Sequence, residues 1–335
     1  MNMKKIGLTA LAGSLVAMTS AVAGELSVSG GAKISYTNKG GTEDANNTGK
    51  GFGMQQLITM SGSGELDNGL VVSLMHTPHS DAAGSSSTAI TIDMGAAGVL
   101  KYQQGTGNIG FAGIDDVMPT AEEEVSNGLG ITAANSATGV AESGVKYEAD
   151  MGGHGFNYAY SMDMGSVVFG YSPGNVDTLT DDGATTGAGA NKDSGKSVHV
   201  VLDSLVDGLT VYAGTGQDGS NDVDTAAAVY AAGPVTVGYQ WTDIDREAAD
   251  SGSAADSERT QASIAFSVNE NLSVSYGMIE TDITGQSSDE ELSGFSVGYS
   301  MGGMTVKAHS HKGEDMGGAT SNESEHTEIS VSFAF

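Results

Sequence analysis

The feature that most constrains this chain is a side-chain period of two that recurs from end to end. "TAITIDM" sets Ile90, Ile92 and Met94 against Thr91 and Asp93. "PVTVGYQW" sets Val235, Val237, Tyr239 and Trp241 against Thr236, Gly238 and Gln240, and "NLSVSYGM" sets Leu272, Val274, Tyr276 and Met278 against Ser273, Ser275 and Gly277. The last stretch, "EISVSFAF", carries Ile329, Val331, Phe333 and Phe335 on one face and Ser330, Ser332 and Ala334 on the other. Successive strand side chains point to opposite faces, so each segment reads as a strand with one greasy face and one lean one. No helical period persists beyond two turns.

The connections alternate in length. "LDNGL", "MGAAGV", "LVDGL", "AGPV", "VNENL" and "MGGM" are short, with Asn or Gly to accept the positive φ of tight hairpins. Between them lie longer polar connections at 38–51, 77–87, 105–142, 173–195, 215–224, 243–256, 282–289 and 312–322. About sixteen strands fit between these markers, with an open choice of turn at "MGGHG" (151–155) or "DMGS" (163–166). Short turns at one end and long loops at the other describe an up-and-down meander whose first and last strands can pair.

Which face is buried decides the fold class. A soluble sandwich would turn the apolar faces into its core, but sixteen strands exceed one sandwich, and the opposite face is too small to be a mere solvent coat. The apolar face also carries nine of the eleven tyrosines, at 36, 102, 147, 158, 160, 171, 239, 276 and 299. Tyrosines on an outward apolar band suit the girdles of a closed transmembrane β-barrel, whose polar face lines water. Closure leaves no unpaired edge, which lipid demands. Phe335 then needs no protein cover.

Composition narrows the role. The first 23 residues, with Lys4 and Lys5 before an apolar run and Ala21-Val22-Ala23 at its end, read as a secretory signal peptide, leaving 24–335 for the barrel. Without Lys4 and Lys5, eleven basic residues face 42 acidic ones. Nucleic-acid binding, which needs a basic footprint, is excluded on that balance. The chain has no cysteine, so neither disulfides nor thiolate sites are available.

Three features together, "AVAGELSVSGGAKISY" after the leader, sixteen strands with alternating connections, and a terminal strand ending in Phe, resemble the Gram-negative general porins. The resemblance is one of architecture and covers the whole exported chain. It implies an all-β, closed up-and-down antiparallel barrel in the outer membrane, passing ions and small hydrophilic solutes. It also implies a homotrimer set among lipid and lipopolysaccharide, and reading of Phe335 by the barrel-insertion machinery.

It further implies that the long connection after the fifth strand, 105–142, folds into the lumen as a constriction. That loop holds Asp115, Asp116, Glu122, Glu123 and Glu124, and "PTAEEEV" within it reads as a short helix, with Pro119 early and acids in the first turn. On the opposite wall the alternation turns Lys33, Lys101, Lys146, Arg259 and Lys307 inward. Arginine is scarce, only Arg246 and Arg259, so the pore reads as acidic and cation-preferring.

Other chemistries read more weakly. His309, His311 and His326 share the inner face, but without a further ligand set they read as polar lining rather than a metal site. No cofactor is expected beyond weak Ca2+ binding by acidic outer loops such as "GQDGSNDVDT", which lack the twelve-residue calcium-loop pattern. His199 and Asp203, four residues apart on a strand, lie roughly 13 Å from each other, too far for a catalytic dyad. No enzymatic activity is expected. The alternative is a secreted acidic β-rich adhesin with calcium-binding loops.

Overall fold

The computed structural model describes residues 26–42, 49–78, 85–105, 109–129, 154–173, 194–218, 221–246 and 255–335. The leader, Lys146, Tyr147 and the loop beyond residue 129 lie outside these. Sixteen strands follow in order: β1 (Leu26–Gly41), β2 (Gly49–Glu65), β3 (Val71–Pro78), β4 (Ser85–Asp93), β5 (Val99–Gly105), β6 (His154–Met162), β7 (Gly165–Ser172) and β8 (Gly195–Val206). The second half comprises β9 (Leu209–Asp218), β10 (Asn221–Ala232), β11 (Val235–Asp245), β12 (Ser257–Ser267), β13 (Leu272–Ile283), β14 (Glu290–Met301), β15 (Met304–Glu314) and β16 (Ser324–Ala334).

Each strand pairs antiparallel with its sequence neighbours, and β1 pairs with β16 to close the barrel. The seam runs in unbroken register from Gly31 opposite Ala334 to Gly41 opposite Ser324. Gly30 and Phe335 extend it by exchanging backbone bonds of 2.8 and 3.0 Å. Every strand therefore has a hydrogen-bonded neighbour on both sides, the condition a lipid-facing sheet must meet. The open choice of turn resolves at Asp163 and Met164, since Met162 pairs with Gly165 across β6 and β7.

The faces follow the alternation. Ile34, Phe52, Met54, Phe169, Tyr239, Tyr276, Met278, Phe295 and Ile329 are all exposed on the outside. Tyr36 stacks at a tilt on Phe52, and Tyr102 on Phe156, as outward cross-strand neighbours do. Tyr230, not among those nine tyrosines, is also exposed outside. β1 and β2, at 16 and 17 residues, exceed the ~10 residues a tilted strand needs to cross a membrane. Residues 38–41 and 49–51, read from sequence as loop, belong to these extended strands.

Candidate functional site: the constriction loop and its wall

The loop after β5 turns into the barrel and follows the inner wall towards β16. A short 3-10 turn, Gly110–Gly113, begins it. Phe111 is fully buried and packs with Val223 of β10 and Ile244 of β11. At the other end Leu129 joins Ile279 and Ile283 of β13, Leu292 of β14 and Met316. The described stretch 109–129 is thus held at both ends by apolar clusters inside a polar lumen, where burial stabilises by roughly 25 cal/mol per Å2. Sequence reasoning missed these anchors. Their signal is parity: Ile244, Ile279, Ile283 and Leu292 are apolar residues on the face that otherwise carries Gly, Ser, Thr and Gln.

Between the anchors, polar contacts tie the loop backbone to successive strands. The Gln240 amide of β11 donates to the carbonyls of Ile114 and Asp115, both at 2.9 Å, while its oxygen accepts from Val117 N at 3.1 Å. Ser263 of β12 donates to the Pro119 carbonyl at 2.9 Å, and Ser275 of β13 accepts from Ala121 N at 2.8 Å. Inward glycines make the room. A Cβ at Gly238 would lie 2.6 Å from the Pro119 ring, and one at Gly277 would lie 2.6 Å from Val125.

These contacts also explain why "PTAEEEV" is not helical. Its residues form bends. Ala121 N is committed to the wall, Glu122 N donates to Thr120 Oγ1, and that hydroxyl donates to the Glu123 carbonyl at 2.9 Å. Side-chain bonds of this kind compete with the helical ladder.

The five loop acids occupy different settings. Asp115 and Asp116 turn partly back on their own loop, accepting from Asp116 N and Met118 N at 2.8 Å each. Desolvation raises Asp115 to about 6, with Asp116 adding to the rise and Arg259 opposing it. Asp116 is likewise raised by desolvation against Arg259. Glu124 reaches water, yet it sits against the wall beside Asp116 and Asp115 and rises to about 7, first through desolvation. Glu122 is unlike the others. Its side chain is completely buried, and Oε2 meets His309 Nδ1 at 2.5 Å. Glu123 is half-buried, within electrostatic reach of Lys33.

Of the wall bases, Arg259 on β12 is buried and acts on Asp115, Asp116, Glu124 and Glu290. Lys33 on β1 pairs with Glu328 of β16 at 2.6 Å. Lys101 shares the parity of buried Gln103, and Lys307 that of buried His309 and His311. The structure thus brings Arg259 to three of the loop acids and Lys33 to the Glu122–Glu123 end. His309, His311 and His326 come together beneath that end and are buried, not free lining at a mouth.

A closed sixteen-stranded barrel, apolar outside and narrowed by an inward loop, is the architecture of an outer-membrane channel. The family model described as Gram-negative porin matches residues 7–335, and the chain belongs to that family. Among solved structures it is similar to a porin refined at 1.8 Å resolution, at 17% identity and a TM-score of 0.65, covering 93% of this chain and 100% of that one. It is similar also to OmpT, an outer membrane protein of Vibrio cholerae (14% identity, TM-score 0.63, 94% and 99% covered). An anion-selective porin from Comamonas acidovorans matches at 13% identity and a TM-score of 0.59, covering 93% of this chain and 100% of that one. No curated protein sequence matches significantly. The protein is an outer-membrane porin.

Proposed function

We propose that the barrel is a general diffusion pore for ions and small hydrophilic solutes, with a preference for cations, and that it performs no chemistry. The observation that carries the preference is the imbalance at the loop. Among the described residues Arg259 is the base that acts on Asp115, Asp116 and Glu124, while Lys33 is already engaged by Glu328. Fixed carboxylates along a narrow aqueous path raise the local concentration of cations and repel anions. The likeness to an anion-selective porin is one of fold at 13% identity, so selectivity is assigned here to the lining charges and not to the barrel.

The rest of the reading rests on the family. Residues 1–23 are removed as a signal peptide, and the stretch 105–142 forms the constriction. The mature chain assembles as a homotrimer in contact with lipopolysaccharide, and the C-terminal strand with Phe335 is recognised during insertion. No cofactor is required, and the acidic outer loops bind calcium weakly.

The test is single-channel recording from detergent-purified protein in a planar bilayer under a salt gradient. Conductance steps in groups of three with a cation-selective reversal potential support the reading. Charge reversal of Asp115, Asp116, Glu123 and Glu124 is expected to abolish or invert that potential. An unchanged potential with an intact barrel would sink the assignment.

A further inference from the structure

His309 and His311 of β15 and His326 of β16 each lie no more than 3% exposed, and one nitrogen from each falls within 4.8 Å of the others. The trio follows from strand geometry. His311 and His326 are direct cross-strand partners, and His309 is two residues along the same face. The rings of His309 and His311 stack with centroids 4.1 Å apart and planes at 13°. Gly294 on β14 leaves room for His311, since a Cβ there would lie 2.3 Å from its ring.

Hydrogen bonds orient the rings. His309 Nδ1–H donates to the buried Glu122 carboxylate, which leaves Nε2 as the lone-pair nitrogen, 2.9 Å from His326 Nδ1. The Asn127 carbonyl accepts from His311 Nδ1 at 3.0 Å, so His311 Nε2 is the lone-pair nitrogen there. Among the described residues, that Nε2 is buried with no partner, and so is Glu122 Oε1. A polar nitrogen buried without a partner has lost its hydration with nothing in return. Three imidazoles meet, two of them with the outer nitrogen held, His309 by a carboxylate and His311 by a carbonyl, as zinc-ligating histidines are held. Two nitrogens on one tetrahedral zinc lie about 3.3 Å apart, close to the separation of His309 Nε2 and His326 Nδ1.

We propose that His309, His311 and His326 form a binding site for a divalent transition metal of the zinc class, seated between the barrel wall and the end of the constriction loop. Glu122 positions His309 through Nδ1 and is not itself a ligand. The Asn127 carbonyl positions His311 and lies 3.2 Å from His326 Nδ1, and His326 binds the metal as its other neutral tautomer, with the proton on Nε2 and the Nδ1 lone pair free. Imidazole sets of this kind favour zinc, copper or nickel over calcium or magnesium. The site is independent of the pore's ion preference. Because the loop covers it, the metal enters as the loop docks, and its occupancy fastens the loop to β15 and β16.

The experiment is refolding of the full chain in detergent with zinc sulfate, removal of loose metal by a weak chelator, and measurement of zinc per barrel by elemental analysis. About one zinc per barrel is expected, with little in the His309→Asn/His326→Gln double variant. Glu122→Gln, which keeps the shape of the pair, is expected to weaken zinc affinity by about 10- to 100-fold, as loss of an orienting carboxylate does. Each sample is first shown to be folded by heat-modifiable migration, and His311→Asn alone replaces the double variant if that one does not fold. Folded wild-type protein that retains no zinc would overturn the proposal, as would equal zinc in wild type and folded histidine variants.

Discussion

Gly298 of β14 faces the carbonyl oxygen of Ala121 so closely that a Cβ would lie 2.6 Å from it. The neighbour is backbone, so it cannot swing aside. Gly298→Val is expected to push the constriction loop off the wall towards the pore axis, at a cost of about 1–3 kcal/mol for overpacking. Single-channel conductance should fall while the barrel stays heat-modifiable. Unchanged conductance would show that the loop yields without entering the path.

Gln240, fully buried, holds three backbone groups of the loop and also bonds Thr225. Gln240→Leu preserves bulk but strands the Ile114 and Asp115 carbonyls and Val117 N. Loop docking should weaken by roughly 1–3 kcal/mol. Limited proteolysis should cut within 109–129 faster than in wild type, with noisier open-channel current.

Selectivity should depend on pH in a window set by the loop acids. Desolvation lifts Asp115 to about 6 and Glu124 to about 7. Both are then largely protonated at pH 5 and ionised at pH 8, so the cation preference should rise across that interval. Asp115→Asn with Glu124→Gln should flatten the rise in reversal potential. The sign for stability is opposite. The docked loop binds protons that the released loop gives up at ordinary carboxylate values, so docking weakens as pH climbs from about 4 to 7.

Lys33 and Glu328 cross the β1–β16 seam, with Glu328 the more buried partner. Lys33→Met leaves that carboxylate against the wall without its base. For a partly exposed pair the loss is modest, about 1 kcal/mol, and should appear as a lower temperature for the heat-modifiable shift. The variant should also be more cation-selective, because a wall base has gone.

The barrel itself was legible in the sequence. Alternation in "PVTVGYQW" and "NLSVSYGM" specified which residues face out, and Asn and Gly turns marked where strands reverse. That the long connection follows β5 came from counting strands, whereas its inward fold was what the porin resemblance implied. Its local shape came from neither, because the Thr120 hydroxyl takes the Glu123 carbonyl that a helix at "PTAEEEV" would have given to Asn127 N. The inward glycines at 238, 277 and 298 were visible as small residues, but nothing local distinguishes a glycine that admits a loop from one that merely lines water.

Period-two patterning and turn chemistry are properties of neighbouring residues, and these alone determined an outward apolar face, an inward lean one and the strand count. The pairing of Glu122 with His309, and of Asn127 with His311 and His326, joins residues more than 180 positions apart. Only closure of β1 on β16 and the run of the loop along the inner wall bring them within bonding distance. Which acids reach water, which are buried, and what covers the three histidines were decided there, because burial and partnership depend on what the whole barrel encloses.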